Sequence, residues 1–257
     1  MPGRWRKRYD PSDNTDIPDD CLIDFDMRLI DLFAELDRKH MKIRDLIRGE
    51  YYRIKELLGY RPSRMDLFTY MDDDVYQMTI KNSKENIFKR YMDYLNDLGE
   101  LSDEEKTLYS GIGREFINLI ETTNMSKVYK MPVLMAFYNN GNIRMGVTED
   151  ELLRAWKEFF NTGTNWKDLE AGITYDRYKS ISDKDHIKKI LQMPVHFLQE
   201  SGKGFFVTKD GFALTLRDEL KGVIGEESFA KQVGDVIEYR SMDYYRRRYR
   251  NGEENET

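Results

Sequence analysis

A single cysteine, Cys21, is the only thiol in 257 residues, so no internal disulfide can staple the fold and a reduced, cytoplasmic setting is expected. Histidine is almost as scarce. His40, His186 and His196 lie far apart, and none has a cysteine or a second histidine at ligand spacing, which argues against a structural zinc site or any other bound metal. No stretch approaches the roughly 20 apolar residues that crossing a bilayer requires, so no membrane partner is expected. After Arg4, Arg6, Lys7 and Arg8 come Asp10, Asp13, Asp16, Asp19 and Asp20 in place of the apolar core of a secretory signal. The phosphate-wrapping pattern G-x-x-x-x-G-K-[ST] is missing, as are D-E-x-D and D-E-x-H, so ATP hydrolysis is not expected in this chain and no cofactor is implied. Gly202-Lys203-Gly204 lacks the spacing and reads as a turn. Without G-x-S-x-G or H-x-K repeats there is no nucleophile signature either, and the chain reads as non-enzymatic.

Charge is plentiful but segregated. The chain holds 41 Lys and Arg against 47 Asp and Glu, a net charge of -6. Four bases fall within residues 1–9 and five within 240–250, where Asp243 is the sole acid; without these the chain is left with 32 bases against 46 acids, near -14. A uniformly cationic nucleic-acid coat is excluded, whereas two basic ends on an acidic body are not. Aromatics at 13% supply material for a core, and the length suits one large or two small domains, of which two is the reading preferred here.

The periodicity predicts a mainly α fold: an N-terminal helical bundle, a winged-helix-like unit with one β-hairpin, and a C-terminal helix. Residues 1–21, rich in charge, Pro and Asp, read as an extended lead-in or linker. The bundle is placed at 22–122. Leu22, Phe25, Leu29, Leu32, Phe33 and Leu36, then Ile43, Leu46, Ile47, Tyr51, Ile54 and Leu58, recur at helical spacing up to Gly59. Ser63 with Asp66, and Ser102 with Glu105, have capping-box spacing. Asn86 to Leu98 reads as one helix, and the helix after Ser102 is expected to run through Phe116 to Ile120. Asp72-Asp73-Asp74 reads as a solvated acidic loop, because consecutive Asp side chains diverge and do not converge on a cation.

The winged unit is placed at 123–222. Ser126 is expected to cap a helix carrying Val128, Met131, Leu134 and Met135, with Pro132 kinking it. Asn139 to Asn142 is a turn cluster. Thr148 and Glu151 form another capping box before Leu152, Trp156, Phe159 and Phe160, and Ser182 precedes a third helix interrupted by Pro194. Phe205 to Lys209 and Phe212 to Leu216 flank Asp210-Gly211, a type I′ hairpin signal that pairs Phe205 with Leu216 and Val207 with Leu214. Residues 223–250 read as the terminal helix and 251–257 as a disordered tail.

What remains is binding chemistry. Lys127, Tyr129 and Lys130 stand where ammonium groups and helix N-terminal amides can meet phosphate, Lys209 sits at the wing tip, and Arg246, Arg247, Arg248 and Arg250 alternate with tyrosines in a pattern suited to single-stranded nucleic acid.

The run from Glu121 to Tyr138, with Ser126, Lys127, Tyr129 and Lys130 ahead of an aliphatic stretch, resembles a segment near the C-terminus of bacterial DEAD/DEAH-box superfamily 2 helicases of restriction and defence loci. The turn Gly59-Tyr60-Arg61-Pro62-Ser63-Arg64-Met65-Asp66 is similar to one in helicase-associated DNA-binding modules. The resemblance covers most of 22–250 and is clearest at 24–32, 61–71 and 122–142. Val128 departs from it, standing where those relatives tend to have a small polar residue. What it implies is an accessory region without catalytic residues, with DNA and a helicase core in the same or a partner chain as partners. A protein-interaction scaffold docking a helicase motor or partner nuclease is the alternative, and a cryptic metal-dependent nuclease is a third reading.

Overall fold

The structure, a computed structural model, describes residues 42–139 and 141–253. The lead-in, the apolar positions from Leu22 to Leu36 and residues 254–257 lie outside the described residues. The first helices are α1 (Ile43–Leu58), α2 (Arg64–Tyr70), α3 (Asp73–Lys81), α4 (Tyr91–Leu98), α5 (Asp103–Tyr109) and α6 (Ile112–Thr122). Then come α7 (Lys130–Phe137), strands β1 (Tyr138–Asn139), β2 (Asn142–Ile143) and β3 (Gly146–Val147), α8 (Glu149–Asn161), α9 (Tyr175–Lys179) and α10 (Asp183–Ile190). A π-turn, Leu191–Val195, leads into α11 (His196–Ser201), followed by β4 (Phe206–Val207), β5 (Leu214–Leu216) and the long α12 (Glu227–Glu253). The fold is mainly α.

Local chemistry sets these boundaries. Ser63, Ser102 and Thr148 each accept a hydrogen bond from the backbone N–H three residues on, and Asp66, Glu105 and Glu151 each accept one back from the cap's own N–H. Asp72 is a cap too, accepting from the N–H groups of Asp74 and Val75, so the three aspartates form a helix start rather than a loop. Their charge there complements the partial positive end of the helix.

Several expected boundaries move. The helix expected from Asn86 starts only at Tyr91, because Asn86 Oδ1 accepts the Phe88 N–H and closes a separate turn over Ile87–Lys89. The Tyr91 N–H goes instead to the buried Glu121 carboxylate, at 3.2 Å. The helix after Ser102 breaks at Ser110 and Gly111, with Leu108 packed so close to Gly113 that a Cβ there would lie 2.1 Å from its Cδ1. Helix α7 begins at Lys130, not at a Ser126 cap, which puts Pro132 in the first turn, where it removes no hydrogen bond and causes no kink. Residues 251–253 are the last turn of α12 rather than part of a disordered tail.

The hairpin is corrected as well, by one residue. Phe206 pairs with Leu216 and Val207 with Thr215, while β5 also pairs with β3 through Gly146↔Thr215 and Val147↔Leu214. The Lys209 carbonyl accepts from the Phe212 N–H at 3.1 Å, with Gly211 at φ 83 and Asp210 at negative φ, which is type II rather than type I′ geometry. Competition from the third strand explains the shift: the Ala213 N–H donates to the Val147 carbonyl at 2.9 Å, so that residue is unavailable to β4. The sheet order is β3, β5, β4, and Phe205, Phe206, Leu214, Thr215 and Leu216 are all buried.

Helix α12, about 40 Å long at its 27 residues, packs on α2, α5, α6 and α7. Apolar side chains on both sides of the expected boundary at 122/123 belong to one continuous cluster reaching from Leu46 to Tyr244. No described helix is long and apolar enough to cross a membrane.

Candidate nucleic-acid interface

Helix α7, strand β3, helix α8, the α10–α11 rod and the β4–β5 hairpin follow one another in winged-helix order, and the sheet order β3, β5, β4 is the one that arrangement requires. Residues 162–182 add a short turn at Asn165–Asp168 and helix α9 between the second and third helices.

The third helix is positioned from beneath. Trp156, wholly buried on α8, packs against Phe160 and Tyr129 with ring centroids 4.6 and 5.2 Å away. Its Nε1–H donates to Nδ1 of His186 on α10, at 3.2 Å. That bond requires an unprotonated Nδ1, in keeping with burial, followed by nearby Lys157, lowering the His186 pKa. Lys157 ion-pairs with Asp183 at the start of α10. Pro194 is accommodated by the π-turn, which dispenses with the hydrogen bond proline cannot donate. Gln199 Nε2 donates to Thr208 Oγ1 at 2.8 Å, joining α11 to the wing.

With those side chains facing inward, Lys184, Lys188, Gln192 and His196 are left on the solvent side at four-residue intervals. No ion pair engages Lys184 or Lys188 among the described residues; His196 lies 3.4 Å from Glu200. At the wing, Phe212 is exposed and covers Gly146, whose missing Cβ would lie 2.7 Å from the ring.

The residues expected from sequence to touch nucleic acid are placed differently. Lys127 Nζ donates to the Asp168 carbonyl at 2.9 Å and lies over the Tyr129 ring. Tyr129 is buried and its hydroxyl donates to the Leu169 carbonyl at 2.5 Å. Lys130 is buried against Thr123 Oγ1 at 2.9 Å and Ser201 Oγ at 3.3 Å, and burial, then the charge of Arg240, lowers its pKa. Arg248 pairs with the buried Asp168 carboxylate, which also accepts from the Tyr244 hydroxyl. The structure therefore gathers Lys127, Tyr129 and Arg248, but around an internal carboxylate and its carbonyl.

Arg246 lies apart from that group, paired with Asp73 and stacked over Phe68 and Tyr76 at 5.0 and 4.4 Å. Arg247 bridges to Asp243 one turn back, at 2.9 Å. Lys209 stands on the exposed wing with Asp218 at 2.5 Å, and Asp218 also meets Lys221 at 3.0 Å. The side chain of Arg250 lies outside the described residues.

Sequence reasoning missed Lys184, Lys188, Gln192 and His196. Their signal was the helical complement of Ile187, Ile190 and Leu191, polar positions opposite an apolar stripe on the third helix. Among the described residues no three His, Cys, Asp or Glu side chains gather to hold a metal ion. Comparison with known proteins returns no matching family, no matching curated protein and no matching solved structure.

Proposed function

We propose that this chain is a non-catalytic accessory element of a superfamily 2 helicase that contacts duplex DNA through the outer face of α10–α11 and the wing. The observation that carries the DNA reading is the winged-helix order of elements, with Lys184, Lys188, Gln192 and His196 turned to solvent on the third helix. In that geometry the third helix lies in a major groove and the wing follows the adjacent backbone. The two lysines and Lys209 serve as phosphate contacts that set register, while Gln192 and His196 reach base edges. The helicase part of the proposal rests on the sequence resemblance at 24–32, 61–71 and 122–142.

Anisotropy titration of the protein against a labelled duplex of about 20 base pairs at several salt concentrations tests the interface. Each phosphate contact contributes roughly 0.9 to the log-log salt slope, so Lys184→Ala, Lys188→Ala and Lys209→Ala together are expected to reduce it by about 2 to 3. An unchanged slope, or no binding at low salt, overturns the proposal.

A further inference from the structure

Along one side of α12, Glu227, Lys231, Gly234, Glu238, Met242 and Tyr245 recur every three or four residues and so form one straight stripe. The stripe lines an open groove of about 1010 Å³, whose other walls come from Ser63 and Met65 at the start of α2 and from residues of α7, α8 and the start of β1. Its apolar surface is unusual for a solvent-facing element. Met135 is 42% exposed, Tyr138 39% and Met242 49%, three large side chains left uncovered by the described residues and all lining the same depression. Gly234 lets the Tyr138 ring approach α12, since a Cβ there would lie 3.1 Å from it.

The rim is anionic. Glu158, Glu227 and Glu238 are exposed and form no ion pair among the described residues, and Lys231 is the one cation on the stripe. Asp235 also borders the groove, but its carboxylate is held by Arg64 and by the N–H groups of Arg64 and Met65. Flexible methionines on a floor framed by unpaired carboxylates fit an apolar helix face carrying flanking lysine or arginine. Nucleic acid would meet like charge there.

We propose that this groove docks a cationic amphipathic helix of a protein partner, with the partner's apolar face on Met135, Tyr138 and Met242 and its basic residues against Glu158, Glu227 and Glu238. The surface is separate from the α10–α11 face and does not depend on the DNA reading.

The probe is a fluorescein-labelled synthetic helix of about 18 residues, leucines on one face and lysines on the other, with a Leu/Glu version as its control. Saturable binding to the full chain is expected for the Leu/Lys helix and none for Leu/Glu. The triple variant E158Q/E227Q/E238Q is expected to weaken it about tenfold. The pair E104Q/E115Q, exposed on α5 and α6, is expected to leave it unchanged. Bound helix should also slow peroxide oxidation of Met135 and Met242. Equal weakening by the two sets of variants, binding without protection of those methionines, or no binding at all overturns the proposal. So does a dimer in sedimentation that Met242→Asp dissociates, since it would assign the groove to a second copy of the chain.

Discussion

Arg64 on α2 and Asp235 on α12, 171 positions apart, meet through a 2.7 Å bond between Nη1 and Oδ2, with the guanidinium fully enclosed. The second arm of the same guanidinium reaches Glu121 at 2.7 Å, and Arg114 holds the other oxygen of that carboxylate. Asp235 also accepts from the N–H groups of Arg64 and Met65, so one carboxylate on the last helix caps an early one.

Breaking this pair from one side leaves the enclosed Arg64 with Glu121 alone, a carboxylate it already shares with Arg114. Asp235→Asn is expected to lower the unfolding free energy by about 3 kcal/mol, read from urea denaturation. A loss below about 1 kcal/mol, the level of a surface ion pair, would show that the arginine is solvated after all.

Glu105 makes stability depend on acid. Its burial raises the pKa, but hydrogen bonds and charge from Arg61, the Ser102 N–H and Gln232 outweigh this and bring it down to about 2. A carboxylate depressed in the folded state stabilises above its unfolded pKa and loses that contribution as pH falls from about 4.5 to 2. The loss amounts to about 3 kcal/mol over that window. Glu105→Gln should therefore be less stable than the parent at pH 7 and nearly equal to it near pH 2; parallel pH curves for the two proteins would rule this out.

The tail arginines should behave as structural residues. Arg246→Ala removes the ion-pair partner of the exposed Asp73, and Arg248→Ala that of the buried Asp168. Each is expected to cost about 1 kcal/mol and to lower the melting temperature by roughly 2–4 °C, with duplex affinity and its salt slope unchanged. A large fall in affinity at unchanged melting temperature would restore them to the DNA-contacting surface.

Gly202 closes the third helix against the wing. A Cβ there would stand 2.1 Å from the Leu198 carbonyl oxygen and 2.7 Å from the Phe206 ring, and a backbone oxygen cannot move aside cheaply. Gly202→Ala is expected to destabilise by about 2 kcal/mol, and chemical shifts in an NMR spectrum should change most at 198–206. Unaltered stability would mean that the turn can shift without loss.

Short-range chemistry was legible in the chain. The three capping boxes, the glycine-terminated helices and the Asp-Gly turn each depend on residues within a few positions of one another, so several helix starts and the mainly α class could be read from pattern alone. Strand β3 was not legible, because Gly146 and Val147 have no alternating run and pair only once β5 lies beside them. The same long-range pairing shifted the hairpin register.

Sequence by itself determined how much charge of each sign the protein carries and where along the chain it lies. Only the tertiary structure decided which charges face water. Lys127, Lys130, Arg246 and Arg248 look free in one dimension, yet folding brings Asp168, Thr123 and Asp73 to them, whereas Lys184 and Lys188 keep solvent because α8 takes the opposite face of their helix. A buried charge must find a partner wherever the fold supplies one, and that partner can lie 80 residues away, as Arg248 does from the buried Asp168.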